Sequence, residues 1–147
     1  MKHFQYRFSV QAPIELVASF HNDPSALKHL MPFPIILIEN KSEPISEGSI
    51  VDMTIWLGLL PIRWISVHSN VHPTNGFTDT QIRGPFKTWI HQHRFESLSE
   101  KTTVVIDEID AQYSSHPIWG IISRLMWLGL PTLFSFRARQ TKRAIEG

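Results

Sequence analysis

The sequence predicts an α+β protein in which a curved, seven-stranded antiparallel sheet wraps around a long C-terminal helix, with two short helices after the first strand. Segments with apolar residues at every second position follow one another between short turns, as is typical of antiparallel sheets. A long apolar segment begins at Pro117 and closes the chain. The concave face of such a sheet needs a cover, and this segment is the only element large enough to provide it.

The first elements are a strand and two short helices. Lys2 to Val10 alternates with aromatic residues on one face, which indicates a half-buried strand. Ala12-Pro13 then opens a segment with helical apolar spacing through Phe20, and Asp23-Pro24 starts a second short helix through Leu30.

Six further strands are predicted, separated by breaks rich in proline, glycine and polar residues. They are Ile35 to Glu39, Ser49 to Leu57, Ile62 to His72, Phe77 to Arg83, Phe86 to Ser97 and Thr102 to Tyr113. The final helix runs from Pro117 to about Ile145, and we expect Pro131 to kink it or split it.

Length and composition narrow the class of protein. The 147 residues fit one domain, residues 1–147, and a net charge of +1 gives little of the basic field on which nucleic-acid binding depends. The chain has no cysteine, and its N-terminus lacks the apolar run of a signal peptide, so we expect a cytoplasmic protein. Arg124 and Pro131 would be costly in a bilayer, so we interpret residues 117–136 as a core helix.

The segment Gly84 to Glu96 contains the candidate functional residues. Alternation along it places one set of side chains on a single face and Phe86 on the opposite, mostly polar face, so we expect the first set to point inward. That set comprises Lys87, Trp89, His91, His93 and Phe95.

Two carboxylates are candidate partners for these histidines. Asp79 shares a face of the preceding strand with Phe77 and Gln81, and a turn at Gly84-Pro85 would place some of these residues opposite the histidines. We therefore predict that Asp79 partners His91 or His93, because a lone buried carboxylate is costly. Asp107 is the second candidate if its face of the last strand points inward.

The chain as a whole resembles the SRPBCC superfamily, the helix-grip proteins that include START lipid-transfer domains and polyketide cyclase/dehydrase-like proteins. The resemblance rests on motifs distributed from the first helix to the last: Ala12-Pro13 with Val17 and Phe20, Asp23-Pro24, the Gly48 turn, Phe77 to Gln81, Gly84-Pro85-Phe86 with Trp89, His91, His93 and Phe95, then Thr103, Asp107, Tyr113, Pro117 and Phe134 to Arg137.

The resemblance implies a helix-grip fold with a ligand cavity between the sheet and the long helix. We therefore predict non-covalent binding of a hydrophobic or aromatic, lipid-like or polyketide-like molecule, without a cofactor. The predicted lining is Phe77, Asp79, Gln81, Trp89, His91, His93, Phe95, Asp107 and Trp127. The alternative is a cyclase or dehydratase in which His91 or His93 acts with Asp79 as a general base. A partner-dependent module with a filled core is a third hypothesis.

Other interpretations of the histidines are a purely structural polar layer, which can coexist with a ligand site, and a metal site. We expect no metal, because the chain has no cysteine and Glu96 follows His93 too closely for the His-x-His pattern of cupins. The apolar turn Trp56 to Pro61 could form the lip of a cavity or touch a membrane transiently, but we favour a turn tucked under a helix. We interpret the basic stretch Arg137 to Arg143 as a solvated helix end rather than a site for anionic lipid.

Overall fold

A computed structural model of the protein describes residues 1–147, apart from the side chain of Ser42. The strands are β1 (Lys2–Val10), β2 (Ile35–Ser42), β3 (Ile50–Leu57), β4 (Leu60–His72), β5 (Gly76–Arg83), β6 (Phe86–Ser99) and β7 (Thr102–Tyr113). The helices are α1 (Ile14–Asn22), α2 (Ala26–His29), α3 (Pro117–Leu128) and α4 (Leu130–Glu146).

All seven strands form one antiparallel sheet in the order β1-β7-β6-β5-β4-β3-β2, which confirms the predicted fold class. Strands β2 to β7 are neighbours in both sequence and space. Strand β1 instead pairs with β7, so that Lys2 lies opposite Ala111. The segment containing α1 and α2 therefore connects one edge of the sheet to the other.

The C-terminal helix is divided as the position of Pro131 predicted. Helix α3 ends before Gly129, and α4 begins with Pro131 in its first turn, where the missing N–H of proline has no helical partner to lose. The two helices are bent by 50° relative to each other. His116 caps the start of α3, since its Nδ1 accepts hydrogen bonds from the backbone N–H groups of Ile118 and Trp119.

Helix α3 has two apolar faces, and only one of them packs on the core. Trp119, Ile122, Met126 and Trp127 pack against the main group of buried side chains. Another row is 61 to 74% exposed and comprises Ile118, Ile121, Leu125 and Leu128. The prediction of a core helix is therefore correct for one face only. Neither α3 nor α4 is long and apolar enough to cross a membrane alone, although the bent pair meets that criterion by length and composition.

The apolar turn between β3 and β4 is not tucked under a helix, as we had favoured. Leu59 at its tip is 96% exposed. Gly58 has a φ of 63°, and β3 and β4 pair up to Leu57 opposite Leu60. A turn formed by two residues at the end of a long hairpin extends beyond the body of the sheet, which explains why its leucine meets solvent.

A bulge near the start of β6 changes which side chains point inward. The register with β7 shifts between Phe86 and Thr88, so that Phe86 and Trp89 are both buried. Our prediction that Phe86 points outward is therefore wrong. An extra residue reverses the alternation locally. Beyond the bulge the predicted alternation is correct, since Trp89, His91 and Phe95 are buried while Gln92 and Arg94 are exposed.

Candidate functional site

The two histidines of β6 share one carboxylate oxygen of β7. Nε2 of His91 lies 2.9 Å from Oδ1 of Asp107 and forms a hydrogen bond with it. Nδ1 of His93 lies 3.2 Å from the same oxygen. The imidazole rings stack with centroids 3.7 Å apart, as expected for residues two apart on the same face of a strand. His91 is 4% exposed and Asp107 is 6% exposed, so the cluster lies inside the fold.

The carboxylate determines which ring nitrogens carry the protons. Burial opposes the charge on Asp107, but the hydrogen bonds and charges of His91 and His93 outweigh it and hold the pKa of the carboxyl well below its usual range. An ionised carboxylate only accepts hydrogen bonds. The nitrogens that face it, Nε2 of His91 and Nδ1 of His93, must therefore carry hydrogen. In the neutral ring of His93 this leaves Nε2 as the acceptor.

His93 is held as a neutral imidazole. Burial lowers its pKa, and the neighbouring His91 lowers it further, while Asp107 opposes both effects. On its other side the ring stacks on Phe77 at a centroid distance of 4.4 Å. The backbones of β5 and β6 approach so closely here that only glycine fits at position 76. A Cβ atom added to Gly76 would lie 1.8 Å from the carbonyl oxygen of His93 and collide with it. The ring is therefore fixed by packing and by Asp107 together.

A cavity of about 100 Å³ lies beside this cluster, between the sheet, helix α4 and the α1–α2 segment. Most of its wall is apolar, and polar side chains, among them His93, contribute the rest. Its lining comprises Phe8, His21, Asp23, Pro24, Ala26, Leu27, Leu30, Glu39, Ile45, Val51, Met53, His68, Phe77, Asp79, His93, Asp107, Phe134, Arg137 and Thr141. Of the predicted lining residues, the structure places Phe77, Asp79, His93 and Asp107 in this wall.

The carboxylate that contacts the histidines is Asp107 and not Asp79. Asp79 does lie opposite His91 in the register of β5 and β6, as predicted. Its Oδ1 is nevertheless buried without any hydrogen-bond partner among the described groups. The register places Asp107 directly opposite His93, on the other side of β6, and diagonal to His91. Strand β6 is central, so each histidine has two neighbouring strands from which a carboxylate can come, and β7 supplies it.

The remaining predicted residues have other positions. Gln81 closes the turn at Gly84-Pro85, where its side chain donates to the carbonyl of Phe86 and accepts from the backbone N–H of the same residue. Trp89 packs edge-on against Trp64. Phe95 contacts the ring of His21, and Trp127 contacts Phe4. His91 lies behind His93. None of these five side chains lines the cavity.

Two functional candidates escaped the sequence analysis. His21 donates from Nδ1 to the carbonyl of Val17, and burial lowers its pKa to about 4. Arg137 lines the cavity, whereas we had placed it in a solvated helix end; only the following Arg139, Lys142 and Arg143 are exposed. Helical spacing was the available signal, because Arg137 follows the buried Phe134 by three residues.

The expected absence of a metal stays a prediction. His91, His93 and Asp107 bring three potential ligand atoms within 4.8 Å of one another. The two nitrogens already donate to the carboxylate, and the cationic Arg137 lines the adjoining cavity, so we expect less than 0.1 equivalent of transition metal in protein purified without a histidine tag. Elemental analysis measures this. One equivalent of metal that disappears in His91→Ala but persists in the surface variant His72→Ala would contradict the prediction.

No protein-family model matches the chain, and no curated protein matches it. Several solved structures, however, match the chain over nearly its whole length. The ZhuI aromatase/cyclase from a Streptomyces species matches with a TM-score of 0.78 and 14% identity, over 99% of this chain and 93% of that one. A protein from Chromobacterium violaceum matches with a TM-score of 0.77 and 16% identity, over 100% of this chain and 99% of that one.

Norcoclaurine synthase from Thalictrum flavum, in complex with dopamine and hydroxybenzaldehyde, matches with a TM-score of 0.67 and 15% identity, over 98% of this chain and 86% of that one. At such identities the matches define the fold. They confirm the helix-grip fold that the sequence resemblance implied.

Proposed function

We propose that the protein binds a small hydrophobic or aromatic molecule non-covalently in the cavity between the sheet and helix α4. The observation that carries this proposal is the composition of the cavity wall, which is mostly apolar and contains a few polar side chains, among them His93, Asp79 and Arg137. Small-molecule sites have this character, since apolar contacts supply affinity and a few polar groups fix orientation. A cytoplasmic location is part of the same proposal.

The size of the cavity restricts the ligand. Pockets for drug-sized ligands typically measure roughly 300 to 1,000 Å³, and an engineered cavity of about 150 Å³ holds benzene. The cavity of about 100 Å³ therefore favours a ligand built on a single ring, admitted by a small outward movement of α2, and a larger lipid-like or polyketide-like molecule would need a larger movement. Norcoclaurine synthase, which shares the fold, was solved with two single-ring ligands.

We expect toluene and 4-hydroxybenzaldehyde to raise the melting temperature and to give saturable heats in calorimetric titration. Ala26→Leu, which adds bulk to the cavity wall, should weaken both ligands at least tenfold because it removes the space they occupy. Ala144→Leu makes the same change on the exposed side of α4 and should leave binding unchanged. If neither compound binds the unmodified protein, or if the two variants bind alike, the proposal is wrong.

A second candidate function is acid–base catalysis in the same cavity, and the fixed tautomer of His93 favours it. With Nδ1 donating to Asp107, Nε2 of a neutral imidazole is free to accept a proton, as a general base requires. The test is exchange of the methyl protons of acetophenone in D2O, followed by NMR. Exchange above background that disappears in His93→Gln supports catalysis, whereas a background rate contradicts it.

A further inference from the structure

Arg137 is an incompletely paired cation in the cavity wall. Its Nε donates to the carbonyl of Leu30 at 3.3 Å, and Nη2 approaches Sδ of Met31 at 3.7 Å. Its guanidinium carbon lies 5.1 Å from the ring centroid of Phe134. None of the ion pairs among the described side chains includes Arg137. Several of the five N–H donors of the guanidinium are therefore available to another molecule.

Asp79 is the complementary unpaired group. Its Oδ1 is buried and accepts no hydrogen bond from the described groups. An unsatisfied buried acceptor is unfavourable, so such an atom in a native protein requires an explanation. The carboxylate belongs to the same cavity wall as Arg137, yet the two do not form an ion pair with each other. The cavity wall thus contains a guanidinium that can only donate hydrogen bonds and a carboxylate that can only accept them, and neither is fully paired within the protein.

We propose that Arg137 and Asp79 are the polar anchors of the ligand, and that the ligand is a single-ring phenol that also carries a carbonyl or carboxylate group. This rests on the proposed binding function and specifies its ligand class. The carbonyl or carboxylate oxygen accepts from the guanidinium of Arg137, and the phenolic hydroxyl donates to the carboxylate of Asp79, which lines the same cavity. The aromatic ring then occupies the space beside Phe77 and Phe134, both of which line the cavity.

The charges of the wall agree with this orientation. A guanidinium only donates hydrogen bonds and a carboxylate only accepts them. The acceptor group of the ligand must therefore bind Arg137, and its hydroxyl group must bind Asp79. Asp107 is engaged by the two histidines, and Oδ1 of Asp23 is engaged by Ser25. Of the four acidic residues in the cavity wall, Asp23, Glu39, Asp79 and Asp107, only Asp79 has a side-chain oxygen that is buried without a hydrogen-bond partner among the described groups. Hydrogen bonds to charged groups are stronger than those between neutral groups, so each anchor should contribute measurably.

Titration calorimetry with a ladder of probes tests the proposal. Toluene has neither polar group, p-cresol has only the hydroxyl, and benzaldehyde and benzoate have only the acceptor; 4-hydroxybenzaldehyde and 4-hydroxybenzoate have both. In the unmodified protein we expect p-cresol and benzaldehyde or benzoate each to bind about tenfold more tightly than toluene, the size of one charge-assisted hydrogen bond. Comparison of benzaldehyde with benzoate decides between a carbonyl and a carboxylate.

Each variant should remove one of these gains and leave the other. Asp79→Ala should abolish the gain of p-cresol over toluene, and Arg137→Met should abolish the gain of benzaldehyde or benzoate. Arg139→Met, an exposed arginine of the same helix, is the control and should change neither ratio. Ratios to toluene are measured within one variant, so a general loss of stability does not affect them; Asp79→Leu and Arg137→Leu, which also lack the acceptor and the donors, replace any variant that fails to fold.

The outcomes separate the two proposals. If toluene and all other probes fail to bind the unmodified protein, the binding function itself is wrong. If toluene binds but the polar probes bind no more tightly, or if their gains survive in Asp79→Ala and Arg137→Met, the anchors are wrong and the binding function stands. If only one gain is lost, in its matching variant, the ligand has one anchor and the bifunctional ligand class is overturned.

Discussion

Asp107→Ala is expected to lower the free energy of unfolding by about 3 to 5 kcal/mol, which makes it one of the two largest effects that we predict. The substitution removes the acceptor that Nε2 of His91 and Nδ1 of His93 share and leaves both donors inside the protein without a partner. A cavity replaces the carboxylate as well. Urea unfolding at pH 7, followed by tryptophan fluorescence, measures the change.

Two further variants make this result specific. Asp107→Asn keeps one acceptor oxygen for the histidines while it removes the charge, so it should be less destabilising than alanine. Asp110→Ala removes a carboxylate from the same strand, but Asp110 is exposed and contacts the exposed His3, so we expect a loss below about 1 kcal/mol. Equal effects of Asp107→Ala and Asp110→Ala would mean that the buried cluster does not stabilise the fold.

The second large effect is a loss of stability in mild acid. Burial lowers the pKa of His21 from 6.5 to about 4, and burial also lowers the pKa of His68 and His93. Below pH 6.5 these imidazoles bind protons in the unfolded chain but stay neutral in the folded chain. Protonation therefore shifts the equilibrium towards unfolding. Stability is therefore greatest above pH 6.5 and decreases as the pH falls towards 4. His21 alone accounts for about 3 kcal/mol, the equivalent of its shift.

Urea midpoints at pH 7, 6, 5 and 4.5 test this dependence, and the control is again a matched pair. His21→Phe keeps an aromatic ring against Phe95 but cannot be protonated, so it should reduce the loss of stability between pH 6.5 and 4.5 and leave the part due to His68 and His93. His29→Gln, at an exposed position, should leave the curve unchanged. A midpoint that stays constant from pH 7 to pH 5 in the unmodified protein would refute the assignment of buried neutral histidines.

The fold could be predicted from the sequence because strand and helix patterns are local. Alternation in residues 2–10 and 102–113 marked both strands at their true limits. The bulge between Phe86 and Thr88 could not be predicted, because a bulge is a property of the pairing between two strands and the sequence of one strand does not reveal it. The exposure of Leu59 and of the exposed apolar row of α3 could not be predicted either, because the sequence does not show whether another element packs against an apolar residue.

The candidate site could be predicted only in part, because it depends on pairing between strands. The inward positions of His91 and His93 follow from alternation, and the expectation that residues of the preceding strand lie opposite them was correct. Which of two flanking strands supplies the carboxylate depends on side-chain rotamers, and sequence spacing does not determine those. Arg137 was misassigned because its basic neighbours suggested an exposed helix end, whereas its helical spacing from Phe134 places it inward.

The position of β1 at the far edge of the sheet also affects how the chain acquires its structure. Lys2 pairs with Ala111, so β1 cannot pair with its neighbour until β7 has been synthesised. Strands β2 to β6 can pair one after another during synthesis, but β6 meets solvent on its open edge until β7 follows. Such distant pairing slows folding, and an unpaired edge invites association between chains. Chains that stop before Thr102 should therefore aggregate rather than fold.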